Sequence, residues 1–318
     1  MDRTVRRALA GLFGLSALHV AAQQPAVLIP AAEPRCTRIT CEDYDAVVFV
    51  HGIYGSDETF KNLDTGFDWP SSFPRRIRER DVDVYRLDYR SALLSWAKQS
   101  NPDFKDAAAS FVEQLRPLRG KRYRSIGFIA HSLGGNLTST YFHLIKSGQG
   151  HPERSQHAYI ITLATPVLGA DIASLGSTLK QLLQIDDRLL ASLTKNNLYL
   201  QMLLEFREAE DGKGFRYGCR RVNLHAAFEQ ARVGPLTVVA PDSAALSIAS
   251  LVSSPVIGFP LDHFAIAKPQ DSSDPVYTWV QERVTSEFAR LDEWDLLRGT
   301  LPWAKRLCAK VDFIGDKR

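Results

Sequence analysis

The chain has 318 residues, 45% hydrophobic and 24% charged, with 39 basic against 36 acidic side chains and a net charge of +3. That composition excludes a disordered, collagen-like or coiled-coil chain, and a mean hydropathy of −0.17 with one apolar run near the N-terminus excludes a polytopic membrane protein. So small a charge gives no concentrated basic field for a nucleic acid, and the length suits two domains or one large α/β unit.

At the N-terminus, Arg3, Arg6 and Arg7 precede an uncharged, mostly apolar run at 8–18, and Val20 and Ala22 supply small residues before a cleavage point. Residues 1–22 thus have the layout of a secretory signal peptide. The apolar run is shorter than the roughly 20 residues of a membrane span; an uncleaved anchor or an amphipathic helix is the alternative. Removal of this leader takes three arginines and one aspartate, which leaves the mature chain near +1. The expected location is therefore periplasmic or extracellular. Export makes an even cysteine count meaningful: Cys36, Cys41, Cys219 and Cys308 allow three pairings, of which the two local ones, Cys36–Cys41 and Cys219–Cys308, are favoured. Four unpaired thiols are the alternative, and the absence of a CxxC pair argues against zinc.

From residue 45 the chain reads as strands alternating with helices. Strands are expected at 45–50 (DAVVFV), 82–87 (VDVYRL), 124–129 (RSIGFI), 158–163 (AYIITL) and 236–240 (LTVVA), and helices at 71–80, 103–118, 133–146 and about 274–297. Near-continuous apolar strands separated by helices imply a parallel sheet covered on both faces, hence the α/β class. One segment breaks the rhythm: 169–216 is mostly helical in pattern and holds no strand. It reads as a cap inserted over one end of the sheet, or as peripheral packing, and its leucines could line an acyl pocket or hold the cap to the body.

Four places along this pattern carry chemistry. After the first strand, His51-Gly52-Ile53-Tyr54-Gly55 suits an oxyanion loop, with the Ile53 N–H as donor, or that of Tyr54 in a wider turn. His51 would shape this loop. After the third strand, Ala130-His131-Ser132-Leu133-Gly134 has the small-x-Ser-x-Gly spacing of a nucleophile elbow. Small neighbours two residues either side relieve a strained turn, and the helix N-terminus brings the Leu133 N–H to a developing oxyanion. Ser132 is therefore the candidate nucleophile, with a plain helix N-cap as the structural alternative. The sequon at Asn136 falls on that helix and is expected to be buried. Of eight histidines, only His225 and His263 follow the insertion; His225 precedes the last expected strand, so His263, in the loop before the final helix, is the candidate base. Asp242, just past the strand 236–240, is the candidate acid, with Asp262 and Asp171 as competitors.

The segments VVFVHGIYGS, IGFIAHSLGG, ITLATPVLGADIA, VVAPDSA and PLDHFAIAKP together resemble the α/β-hydrolase superfamily. More narrowly, the chain is similar to lipase-like serine esterases of the GPI inositol-deacylase and SERAC-type group. Thr165-Pro166-Val167-Leu168-Gly169 matches the group's T-P-x-x-G, and Asp262-His263 through Lys268-Pro269 its closing D-H segment. The sequence departs at Ala130 and at Val167, where relatives commonly carry a histidine. The resemblance spans roughly 44–290. It implies ester hydrolysis of lipid or acyl substrates through an acyl-enzyme, with neither a metal nor an organic cofactor, and contact with a lipid surface is a further expectation. An acyltransferase with the same Ser132, Asp242 and His263 set, or a binding protein on a hydrolase scaffold, are the other readings.

Overall fold

The structure, a computed structural model, describes residues 27–52, 55–88, 111–146, 157–165, 222–231 and 254–300. In chain order these form β1 (Val27–Pro30), β2 (Asp45–Val50), α1 (Trp69–Ser72), β3 (Arg76–Ile77), β4 (Arg80–Asp88), α2 (Arg116–Gly120), β5 (Ser125–His131), α3 (Leu133–Lys146), β6 (His157–Leu163), β7 (Asn223–Glu229), β8 (Ile257–Phe259) and α4 (Pro275–Thr300). Two short 3-10 turns, Asp57–Phe60 and Ala265–Ala267, complete the described elements.

The strands build one sheet in the order β1-β4-β2-β5-β6-β7-β8, with β3 paired to β4 off that path. Neighbours from β4 through β8 run parallel, while β1 and β3 lie antiparallel to β4. Every residue of DAVVFV and SIGFIAH is buried. Both strands read as unbroken apolar runs because helices cover both faces. On one face, Phe128 of β5 stacks edge-on against Phe142 of α3 at 5.5 Å, and Phe111 meets Tyr141 at 5.3 Å. On the other, Phe49 of β2 meets Trp69 of α1 at 5.6 Å. Val276, Val280, Val284, Phe288 and Leu291 of α4 join that cluster. Their spacing of three and four residues forms a single apolar stripe along the helix.

The strands expected at 45–50, 82–87, 124–129 and 158–163 are β2, β4, β5 and β6, and the helices expected at 133–146 and 274–297 are α3 and α4. The leader 1–22, the first half of the helix expected at 103–118, the cap 169–216, the strand 236–240 and the pair Cys219 and Cys308 lie outside the described residues; the second half, 111–118, is helical apart from a turn at Leu115. Cys36 and Cys41 form the local disulfide. The helix expected at 71–80 is corrected. Pro74 forces Phe73 into extended backbone and ends α1 at Ser72. Arg78 and Glu79 then take positive φ of 49° and 62°, turning the chain into the β3–β4 hairpin.

The strand order fixes where a site can form. From β2 the chain goes to β4 on one side and later to β5 on the other, so a crevice opens at the carboxyl ends of β2 and β5. Val50 and Ala130 are register partners, so His51-Gly52 and His131-Ser132 leave the sheet side by side.

Candidate active site

Ser132 stands between β5 and α3 with φ of +53°, the left-handed region that L-residues avoid. The strain is held from both sides. The Ser132 N–H donates to Leu163 O at 2.9 Å, its carbonyl accepts from the Gly135 N–H at 3.0 Å, and the Thr165 hydroxyl donates to the same carbonyl at 3.0 Å. Close packing explains the small residues around it. A Cβ on Gly134 would come within 2.7 Å of Val50 O and closer still to His51 O, and one on Gly135 would strike the Thr165 side chain. Ala130, fully buried between Val50 and Thr162, meets the same steric demand at the other side of the serine.

His263 reaches Ser132 from the loop between β8 and the 3-10 turn. Its Nε2 lies 2.9 Å from Ser132 Oγ and its Nδ1 3.0 Å from Glu229 Oε1. Facing a carboxylate, Nδ1 carries the proton, so Nε2 is left as acceptor for the serine hydroxyl. All three residues are buried: Ser132 is 4% exposed, His263 and Glu229 1% each. The sequence-expected partners Ser132 and His263 are thus brought together; among the described residues the carboxylate at the imidazole is Glu229, and Asp242 lies outside them.

Strand polarity accounts for the place of Glu229. β7 is the strand that follows the insertion; it lies beside β6 with Leu163 opposite Ala227, and Glu229 is its last residue. Its register partner is Phe259, four residues before His263, so the end of β7 and the histidine loop meet directly. Gln230 and Ala231 donate their N–H groups to Phe259 O and Leu261 O, at 2.8 and 3.1 Å, and extend that meeting. Of the competitors, Asp262 accepts from the N–H groups of Phe264 and Ala265 and caps the turn instead of touching the ring; Asp171 lies outside the described residues. The signal available in the sequence was a carboxylate at the end of NLHAAFE, where Leu224, Ala226 and Phe228 alternate with the residues of the other face.

Leu133, buried, opens α3 directly after Ser132, and the first N–H groups of a helix have no partner within it. Ile53 lies outside the described residues. Gly52 stands opposite the serine: a Cβ there would sit 3.0 Å from Ser132 Cβ and 3.4 Å from its Oγ. His51 is buried at the end of β2, with Nδ1 2.7 Å from Gly52 O and Nε2 3.8 Å from Asp88. The imidazole at the serine is therefore His263, as the chain order of the motifs implies. Asn136 is buried, as expected for a sequon on this helix. Among the described residues, no three His, Cys, Asp or Glu side chains are grouped to hold a metal ion.

Residues 47–310 match the family model of the alpha/beta hydrolase family. No curated protein matches the chain. Among solved structures, the chain is similar to esterase B from Lactobacillus Rhamnosis, at 10% identity over 87% of this chain and 90% of that one, with a TM-score of 0.52. A mature lipase from Bacillus licheniformis is similar at 16% identity over 81% and 99%, with a TM-score of 0.46. The esterase domain of a Rhodothermus marinus protein is similar at 16% over 83% and 91%, with a TM-score of 0.44. At such identities the likeness concerns the fold.

Proposed function

The chain belongs to the alpha/beta hydrolase family, and from that premise we propose that it is an exported serine ester hydrolase acting through an acyl-enzyme. The observation that carries the reading is the pair of contacts on His263, with Ser132 at 2.9 Å on one ring nitrogen and Glu229 at 3.0 Å on the other. Ser132 Oγ attacks the ester carbonyl carbon while its proton passes to His263 Nε2. The carbonyl electrons move to an oxyanion that accepts from the N–H groups of Leu133 and Ile53. The intermediate collapses, the carbon–oxygen bond to the alcohol breaks, and His263 returns the proton to the leaving oxygen. Water, deprotonated by the same nitrogen, then releases the acid and restores Ser132. Glu229 stays ionised throughout; it holds the imidazole in the productive tautomer and stabilises the imidazolium.

The narrower grouping with lipase-like esterases of the GPI inositol-deacylase and SERAC type rests on the segments at 165–169 and 262–269, and small-molecule or lipid esters are the substrates it suggests. Export rests on the leader pattern at 1–22.

Purified mature protein is expected to release p-nitrophenol from acyl esters and to be labelled by a fluorophosphonate. Ser132→Ala abolishes both; labelling equal to wild type sinks the assignment. Glu229→Gln is expected to lower kcat roughly 10³–10⁴-fold, the scale seen when the acid of such a triad becomes an amide. Asp242→Asn should leave kcat near wild type, and the reverse order of the two would return the acid role to Asp242. Rates on butyrate, octanoate and palmitate esters then fix the acyl class.

A further inference from the structure

His131, the residue before the proposed nucleophile, makes a contact that the reaction scheme does not use. Its Nε2 lies 2.7 Å from the main-chain oxygen of His263, and the two rings stand 5.0 Å apart, tilted by 49°. Two successive residues of the elbow therefore grip one residue of the opposite loop. Ser132 meets the His263 ring and His131 meets its carbonyl. We infer that His131 is a positioning residue: its Nε2–H fixes the backbone of His263, so that the imidazole faces Ser132 by construction and not by the preference of its loop. The inference rests on the proposed roles of Ser132 and His263.

The surroundings show what this bond adds. The loop around His263 is tied on both sides, by the Leu261 N–H to Phe259 O at 2.7 Å and by the Phe264 and Ala265 N–H groups to Asp262 Oδ1. The Asp262 bond to the Phe264 N–H holds the same peptide that carries the His263 carbonyl, but both of its ends lie within the loop, whereas the bond from His131 ties that peptide to the sheet. Its donor is anchored in the sheet, since His131 is the last residue of β5 and is paired with Leu163 of β6. The contact closes a loop of bonds running Ser132, His263 ring, His263 carbonyl, His131. Within it, the Ser132–His263 distance follows from the elbow.

The protonation state suits the task. A carbonyl accepts only from a ring N–H, so Nε2 carries the proton and His131 Nδ1, which is buried with no hydrogen-bond partner among the described residues, does not. Burial, and then the charge of His263 nearby, pull the His131 pKa down to about 3. At working pH the ring is neutral. A cationic neighbour would oppose the imidazolium that forms on His263 during the reaction, and a neutral donor does not.

The test compares two side chains of similar reach. Gln keeps an N–H donor near the Nε2 position, and Met keeps the bulk without one. His131→Met is expected to lower kcat about 10–100-fold, the range for a lost outer-shell or misplaced contact, with KM for p-nitrophenyl acetate within about twofold of wild type. His131→Gln is expected to recover kcat to within about fivefold of wild type. Rates are taken per active site titrated with a fluorophosphonate, so unfolded protein does not count. The inference is overturned if His131→Met retains wild-type kcat, or if both variants fall equally. A reading independent of any variant comes from nitrogen–proton NMR of the histidine-labelled wild type. His131 should show the neutral Nε2–H form from about pH 5 to pH 9, and an Nδ1–H or charged ring in that span also overturns the inference. If Ser132→Ala is inactive while His131→Met is unaffected, the hydrolase reading stands and this inference alone falls.

Discussion

Two glycines hold apart the effects of geometry on catalysis and on folding. Gly52 faces the nucleophile, and the methyl of Gly52→Ala would press on Ser132 Cβ from 3.0 Å. The atom met is a Cβ carried on the Ser132 backbone, so the few tenths of an ångström it must give come out of the nucleophile's position. Gly52→Ala is thus expected to cut kcat roughly tenfold, since small misplacements of reacting groups are costly, with a melting temperature within a few degrees of wild type. Gly134 meets backbone instead, at Val50 O and His51 O. Gly134→Ala is expected to cost about 1–3 kcal/mol or more in urea unfolding, the scale for overpacking a site that cannot yield. At this scale the sequence revealed Ser132 and His263. The elbow is a local steric pattern, and the histidine was found by its place in the chain. Glu229 escaped because the polar residues of its strand face inward: Asn223 and His225 both bond Glu287. The run NLHAAFE therefore lacks the apolar continuity of β2 or β5.

The same contacts join β7 to α4. Glu287 is buried and receives His225 Nε2 at 2.7 Å, Asn223 Nδ2 at 2.8 Å and Arg290 Nε at 2.7 Å, while Ser254 Oγ meets the far nitrogen of His225 at 2.8 Å. Burial alone would raise the carboxyl pKa. The His225 hydrogen bond, the Arg290 charge and the Asn223 amide outweigh it and hold the value below the ordinary 4.5. A depressed carboxyl stabilises the fold above its unfolded pKa and loses that contribution as pH falls through the lower folded value. Glu287→Gln is therefore expected to lower the stability measured by urea unfolding by about 3 kcal/mol at neutral pH. The gap to wild type should narrow below about pH 4; a gap constant with pH contradicts the account. Elements of this length were legible where one period ran unbroken, as in α4. The segment 71–80 misled because its apolar residues suit a helical face, while Pro74 and the positive φ of Arg78 and Glu79 divide it between α1 and a hairpin.

For the molecule as a whole, alternating strands and helices were enough to expect a parallel sheet, because burial on both faces leaves its mark in β2, β5 and β6. The antiparallel edge was not read, since β1 has four residues and β3 two, too few to show a period. The N-terminal segment after β1 is pinned on β4. Asp83, buried, accepts from the N–H groups of Arg35 and Cys36 at 2.6 and 3.1 Å and from Tyr123 Oη at 2.7 Å. The Cys36–Cys41 bond closes a loop of only five residues' separation over it. So short a loop restricts the unfolded chain by roughly 2 kcal/mol on the chain-entropy account. The double variant Cys36→Ser, Cys41→Ser is expected to melt a few degrees lower with kcat unchanged, as calorimetry and ester hydrolysis would show.

The direction of β1 has a consequence for anything attached ahead of it. Val27 pairs with Asp88, the last residue of β4, and Pro30 with Tyr85. Because β4 runs parallel to β2 and β2 to β5, the chain enters the sheet at the end where Ser132 leaves it. A leader still attached, a purification tag or a fused partner would join the sheet at the same end as the Ser132 elbow.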